Sequence, residues 1–209
     1  MIRNNKTFKA WITIAIVIAI LLIDQIIKIE VKTNMTLGEA KRVTDWFYIE
    51  FIENNGMAYG MKFINKLVLS LFRLFAIGFI GYYLAKIIKK NEAPIGYIVL
   101  IAMVLAGAAG NLIDCLFYGL IFDASTPFTV SQFVPFGEGY STFLHGKVVD
   151  MFYFPIIQTT WPEWMPYVGG SEYVFFSPVF NFADACISVG VVTLLLFYRK
   201  QLEVLFSNK

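Results

Sequence analysis

An all-α membrane protein is predicted, a bundle of four transmembrane helices carrying a small extracytoplasmic subdomain with β-structure and a long outer insertion. The first observation is composition. The 209 residues are 58% hydrophobic and only 15% charged, with a mean hydropathy of +0.66, far more apolar than a soluble domain of this size requires. The second is spacing: four apolar runs, residues 10–27, 67–85, 95–113 and 179–198, each approach the ~20 residues that a helix needs to cross hydrocarbon. None carries the charged stripe of a helix that faces water on one side. The third is the pair of long segments between them, residues 28–66 and 115–177, which are rich in aromatic residues and turn formers. The chain is read as a single domain over residues 1–209.

The first run is preceded by Arg3, Lys6 and Lys9 and continues into Asp24, Gln25 and Lys28 without a small-residue cleavage pattern, so a retained helix is expected. Basic residues also follow the second run (Lys86, Lys89, Lys90) and the fourth (Arg199, Lys200). All three clusters fall on one side of a four-span chain, which predicts cytoplasmic termini. The first outer segment runs against this rule with Lys32, Lys41, Arg42, Lys62 and Lys66.

Within that segment, WFYIEFI at 46–52 is a short aromatic and β-branched run suited to a strand. Asn55-Gly56 then signals a turn, with Gly60 a second flexible point, so a small sheet at the membrane surface is expected. The second outer segment contains Pro127, Pro135, Pro155, Pro162 and Pro166, with Pro178 just beyond it, and these exclude one continuous helix. Its Phe152, Tyr153, Phe154, Trp161, Trp164 and Tyr167 suit an interfacial layer. Two cysteines, Cys115 and Cys186, make no disulfide framework, and the single His145 has no neighbouring ligand, so neither a metal nor another cofactor is expected. No basic aromatic stripe suggests nucleic acid.

The polar residues of the apolar runs gather towards one end of the bundle. Asp24 and Lys28, four apart, share a helix face and can pair. The third run ends LAGAAGNLID, where Gly107 and its small neighbours permit close helix approach and Asn111 and Asp114 share a face. The fourth run opens with Asn181 and Asp184, three apart, and a carboxylate at this depth is costly unless it faces protein or water. Asp150, in HGKVVDMFYF, reaches the same boundary if its segment folds back onto the bundle. Two carboxylates facing each other around water split their pKa values, so that one activates water while its protonated partner polarises a carbonyl. A proton relay needs polar groups at depth, and the deep parts of the second and fourth runs are apolar except for Arg73. A reaction at one face is therefore favoured over a path across the membrane.

DQIIK at 24–28, NNGMAYG at 54–60, AGAAGNLID at 106–114, VVDMF at 148–152 and FNFADACI at 180–187 together resemble the lipoprotein signal peptidase family of membrane aspartic peptidases. The resemblance implies an endopeptidase that removes the signal peptide from diacylglyceryl-modified prolipoproteins, on the amino side of the lipidated cysteine. It implies Asp150 and Asp184 as the catalytic dyad, with Asn181, Asn111 and Asp114 ordering dyad and substrate. Asp24 with Lys28 would support the first helix, Gly107 belongs to the glycine-rich motif, and Asn54 and Gly56 fall in a substrate-contacting loop. The expected partners are the lipidated precursor and membrane lipid, the expected state a monomer, and the expected location the bacterial cytoplasmic membrane with the site near its outer leaflet.

Three features depart from the family pattern. Cys115 stands where an arginine is usual, with Lys147 or Arg73 as candidate replacements. The 36 positions from Asp114 to Asp150 exceed the family's short spacing, so an insertion over residues 115–145 precedes Asp150, and residues 158–177 form a second extension. Both are read as elaborations of the outer surface. His145 and Lys147 are read as exposed loop residues without a special role.

Overall fold

The computed structural model describes residues 5–55 and 66–206, so the expected turn positions Gly56 and Gly60 lie outside the described residues. Helix α1 runs Lys6–Asn34, capped where the Asn5 side chain accepts the Thr7 amide at 2.9 Å and closed where the Met35 amide donates to Val31. Its 29 residues extend to about 43 Å, longer than the ~30 Å hydrocarbon layer. The predicted end at residue 27 is therefore corrected to Asn34. The helix continues because Lys28 and Lys32, which halt a hydropathy reading, turn inward and are fully buried against partners.

Helix α2, Lys66–Lys90, ends on Lys89 and Lys90, which complement the negative end of its dipole. A tight turn at Asn91, in the left-handed region at φ 59°, leads to Pro94 and helix α3, Ile95–Ile113. Lys9 of α1 fastens this turn, donating to the carbonyls of Ala93 at 2.8 Å and Asn91 at 3.3 Å. Helix α3 is central, packing on α1, α2 and α5, and continues through a π-helical turn, Asp114–Tyr118, into a single turn α4, Gly119–Ile121. Two glycines set its close approaches. A Cβ at Gly107 would stand 2.4 Å from the Ala183 carbonyl oxygen, and one at Gly110 would stand 2.6 Å from the Asp24 carboxylate.

Strands β1 (Ala40–Thr44), β2 (Phe47–Asn54), β3 (Val148–Tyr153) and β6 (Val179–Phe180) form an antiparallel sheet in the order β1-β2-β3-β6. Strands β4 (Ile157–Thr160) and β5 (Glu172–Phe175) pair separately within the second extension. The strand read from WFYIEFI is β2, displaced by one residue at its start and extended to Asn54.

Helix α5, Phe182–Phe197, is followed by α6, Arg199–Phe206. The fourth run was expected to be helical from residue 179, but Val179 and Phe180 pair with Tyr153 and Phe152 as strand β6, and Asn181 caps the helix. Among the described residues, three helices are long and apolar enough to cross a membrane: Lys6–Asn34, Lys66–Lys90 and the continuous Ile95–Ile121. Helix α5 is apolar but shorter, 16 residues or about 24 Å.

The insertion is not merely a surface elaboration. Tyr118 and Phe122 at its start are buried with Val31, Met35, Phe51, Val149 and Met151 in one core, which joins the end of α1, the sheet and the insertion. Removing this apolar area from water is what fixes the sheet against the bundle. Trp46, Phe47, Phe154 and Phe180 stack along the sheet, and the more distant Trp164 and Tyr167 are fully or largely exposed.

Candidate active site

Four carboxylates converge where α1, α3, β3 and α5 meet. The centre is Lys28, whose ammonium lies 2.9 Å from Asp24 Oδ2, 2.8 Å from Asp114 Oδ2 and 2.9 Å from Asn111 Oδ1. Lys28, Asp24 and Asp114 are all 0% exposed, so this is a solvent-free charge cluster. The predicted Asp24–Lys28 pair is thus present, and α3 joins it.

Asp24 and Asp114 each hold a second element. Asp24 Oδ1 accepts the Ala183 amide at 2.9 Å, and Asp114 Oδ2 accepts the Val149 amide at 3.3 Å. Ala183 immediately precedes Asp184, and Val149 immediately precedes Asp150. One lysine therefore anchors, through two carboxylates, the backbone next to each of the other two aspartates.

Two asparagine amides connect these groups, and their orientations follow from charge. The Lys28 ammonium must face an oxygen, so Asn111 points Oδ1 to it and Nδ2 to Asp184 Oδ1, at 2.7 Å. Asn181 accepts the Asp184 amide on Oδ1 at 2.9 Å as the cap of α5, which leaves its Nδ2 to donate elsewhere. That nitrogen donates to Asp150 Oδ1 at 2.7 Å and to Asn111 Oδ1 at 3.0 Å. Asp150 Oδ2 accepts from Asn54 Nδ2 at 3.1 Å. Asp184 Oδ2 receives the Asn181 amide at 3.5 Å, completing a capping box whose second bond is long.

The environments of the two aspartates differ. Asp150 is 3% exposed, and burial followed by the negative charge of Asp184 pushes its carboxyl up to about 7, against the opposing pull of the Asn54 and Asn181 amides. Asp184 is partly exposed at the N-terminus of α5, where the helix dipole favours negative charge.

Asp24, Lys28, Asn54, Asn111, Asp114, Asp150, Asn181 and Asp184 thus form one hydrogen-bonded constellation. Gly107 sits below it as a contact between α3 and α5, and Gly56 is outside the described residues. The Cys115 departure has a counterpart in space: Arg73 of α2 donates from Nη1 to Cys115 Sγ at 3.2 Å. Of the two candidate replacements, Arg73 brings its guanidinium there, while Lys147 pairs with Glu53 at 2.7 Å. The reading of Lys147 as an exposed residue is corrected accordingly. His145 stays in its loop, its Nδ1 within 3.0 Å of the Thr142 hydroxyl and the Phe143 carbonyl.

Gln25 was missed. Its Nε2 donates to Asp114 Oδ1 at 3.0 Å and Asp24 Oδ2 at 3.1 Å, and its Oε1 accepts the Tyr118 hydroxyl. Lys32 and Glu53 were also missed, a buried pair at 2.5 Å. A signal for Lys32 was available, since Asp24, Lys28 and Lys32 recur at helical spacing on one face past the apparent end of the span.

A family model for signal peptidase (SPase) II matches residues 16–199. A lipoprotein signal peptidase of Porphyromonas gingivalis is 48% identical over 195 residues, covering 93% of this chain and 86% of that protein. Another, of Amoebophilus asiaticus, is 34% identical over 203 residues, covering 94% of this chain and 81% of that protein. A solved bacterial membrane enzyme obtained by the in meso method shares the fold, with a TM-score of 0.61 at 22% identity over 94% of this chain and 90% of that one. Matched along nearly its whole length, this multi-pass chain belongs to the signal peptidase II family of membrane aspartic peptidases.

Proposed function

We propose that the protein cleaves the signal peptide from diacylglyceryl-modified prolipoproteins, on the amino side of the lipidated cysteine, with Asp150 and Asp184 as its catalytic dyad. The observation that carries this reading is the convergence of the two carboxylates on one amide pair, Asn181 donating to Asp150 and Asn111 to Asp184, each at 2.7 Å. The two amides thereby bring both carboxyls to one polar site, the arrangement that acid–base hydrolysis by a carboxyl pair requires.

Asp150 is assigned as the acid, because burial and the neighbouring Asp184 charge push its carboxyl up to about 7, and Asp184 as the base. Asp184 takes a proton from a water held between them, and the hydroxyl oxygen attacks the scissile carbonyl. Asp150 donates a hydrogen bond to the carbonyl oxygen as negative charge develops there. Collapse of the tetrahedral species breaks the C–N bond, and the proton gathered by the dyad passes to the leaving amine of the lipidated cysteine. Asn111 and Asn181 hold the carboxylates in register, and Asn54 anchors Asp150.

The topology proposed for this chemistry has four spans, α5 being the fourth, with both termini cytoplasmic and the dyad near the outer leaflet. The basic clusters after α2 and α5 support that orientation. The whole chain acts as one domain and as a monomer, with the acyl chains of the substrate remaining in lipid beside the helices.

The test is cleavage of a purified lipidated precursor by wild type, Asp150→Asn and Asp184→Asn. Both variants are expected to lose activity by at least ~10³-fold while retaining wild-type thermal unfolding. Full activity in either one would overturn the dyad assignment, and equal cleavage of unlipidated precursor would overturn the substrate assignment.

A further inference from the structure

Strand β2 presents two consecutive polar side chains to opposite sides of the sheet, since neighbouring residues on a strand alternate faces. On one face lies Asn54, whose amide donates to Asp150 across the β2–β3 pair, where Ile52 faces Asp150 and Asn54 faces Val148. On the other lies Glu53, whose side chain is only 2% exposed. Its Oε1 accepts from Lys32 Nζ at 2.5 Å and from the Ser125 hydroxyl at 2.9 Å, and its Oε2 accepts from Lys147 Nζ at 2.7 Å.

These partners come from separate parts of the chain. Lys32 belongs to the last turns of α1, Ser125 to the insertion, and Lys147 to the residue before β3. The Lys32 ammonium also lies 5.2 Å from the Phe122 ring centre and 5.1 Å from that of Tyr140, and the Tyr140 hydroxyl accepts the Lys147 amide at 2.6 Å. Asn54 is the last residue of β2, a position that would fray if it were held only by its own ladder bonds.

We propose that Glu53 is a positioning residue for the peptidase reaction: its clamp between Lys32, Ser125 and Lys147 fixes the end of β2 so that Asn54 holds Asp150. The insertion then has a defined task, because it contributes Ser125 and the Tyr140 wall of the clamp. This inference rests on the dyad reading above, and it concerns a residue that touches neither the dyad nor substrate.

A double-mutant cycle on the lipidated precursor tests it, using Glu53→Ala, Asn54→Ala and the pair. Asn54→Ala is expected to lower kcat by about 10-fold, the loss of one hydrogen bond that orients Asp150. Glu53→Ala should lower kcat by about 10-fold with KM changed less than about 3-fold, because the clamp lies behind the site. In the Asn54→Ala background the same change should cost less than about 2-fold, since its route to the dyad is already cut. Lys147→Met is the milder second variant, half-exposed and leaving the Lys32 contact intact. It should lower kcat a few-fold and likewise fall silent without Asn54.

Equal losses from Glu53→Ala in both backgrounds, or an unchanged kcat in both Glu53→Ala and Lys147→Met, would overturn the inference. Should Glu53→Ala fail to fold, Lys147→Met decides by the same criterion. Full activity of Asp150→Asn would sink the dyad reading itself, whereas inactive Asp150→Asn with additive Glu53→Ala defeats the clamp alone.

Discussion

Replacing Lys28 by methionine keeps an unbranched side chain, one heavy atom shorter, and removes its charge and its three donors. In the native protein the Lys28 ammonium contacts Asp24, Asp114 and Asn111 at 2.8–2.9 Å, with Lys28 and both carboxylates fully buried. Without it, two carboxylates remain in a solvent-free site, and breaking a buried pair from one side costs about 3–5 kcal/mol. At about 2–4 °C per kcal/mol for a chain of this size, thermal unfolding should fall by about 6–20 °C. Both cysteines are free and buried, so a fluorogenic thiol dye reads unfolding directly in detergent. The pairwise origin of the loss can be isolated with Asp114→Asn. The double variant leaves one buried carboxylate in place of two and should recover about 1–3 kcal/mol relative to Lys28→Met. Peptidase activity should fall with stability, because the same lysine anchors the backbone before Asp150 and before Asp184. An unfolding midpoint within about 2 °C of wild type, or no recovery in the double variant, would refute this account of the cluster.

The pH dependence should have an alkaline limb in kcat/KM. As the proposed acid Asp150 must be protonated, and burial with the Asp184 charge holds it up to about 7, so activity should decline as pH rises through that value. Asn54→Ala removes a donor that favours the ionised form, so the limb should move to higher pH in the residual activity; a limb shifted to lower pH contradicts the assignment. Gly107→Val should force α3 from α5, because the first added carbon already meets the Ala183 carbonyl oxygen at 2.4 Å. A loss of about 1–3 kcal/mol or more, read by the same thiol dye, is expected, and wild-type unfolding would show that the helices part freely there.

Much of this architecture was legible from residue order because membrane helices are written in long apolar runs. The third helix began where its hydropathy did, at Ile95, and its regular α-helical part ended at Ile113, beyond which it runs on through the π-helical turn to Ile121. The misjudged boundaries have a common cause, since hydropathy reports solvent preference and not hydrogen bonding. Helix α1 outlasts its apolar run because Lys28 and Lys32 find partners inside, and α5 starts late because Val179 and Phe180, equally apolar, pair as a strand. In the site, pairs three or four apart, Asp24 with Lys28 and Asn181 with Asp184, could be seen by helical spacing. The Glu53 clamp could not, for its partners lie 21, 72 and 94 residues away in the chain. The π-helical turn at Asp114 also has no local signature, and Arg73 is brought beside Cys115 only by the packing of α2.

The insertion leaves and re-enters the bundle at the same place. The Gly146 amide donates to the Cys115 carbonyl at 3.0 Å, and a Cβ on Gly146 would stand 2.1 Å from the Asp114 carbonyl oxygen, so the chain closes on itself where it departed. A loop whose ends already touch can lengthen or shrink over generations without displacing what it connects. The 36 positions between Asp114 and Asp150 therefore add an outer lobe without adding distance, because the chain that leaves after Asp114 is back beside it at Gly146.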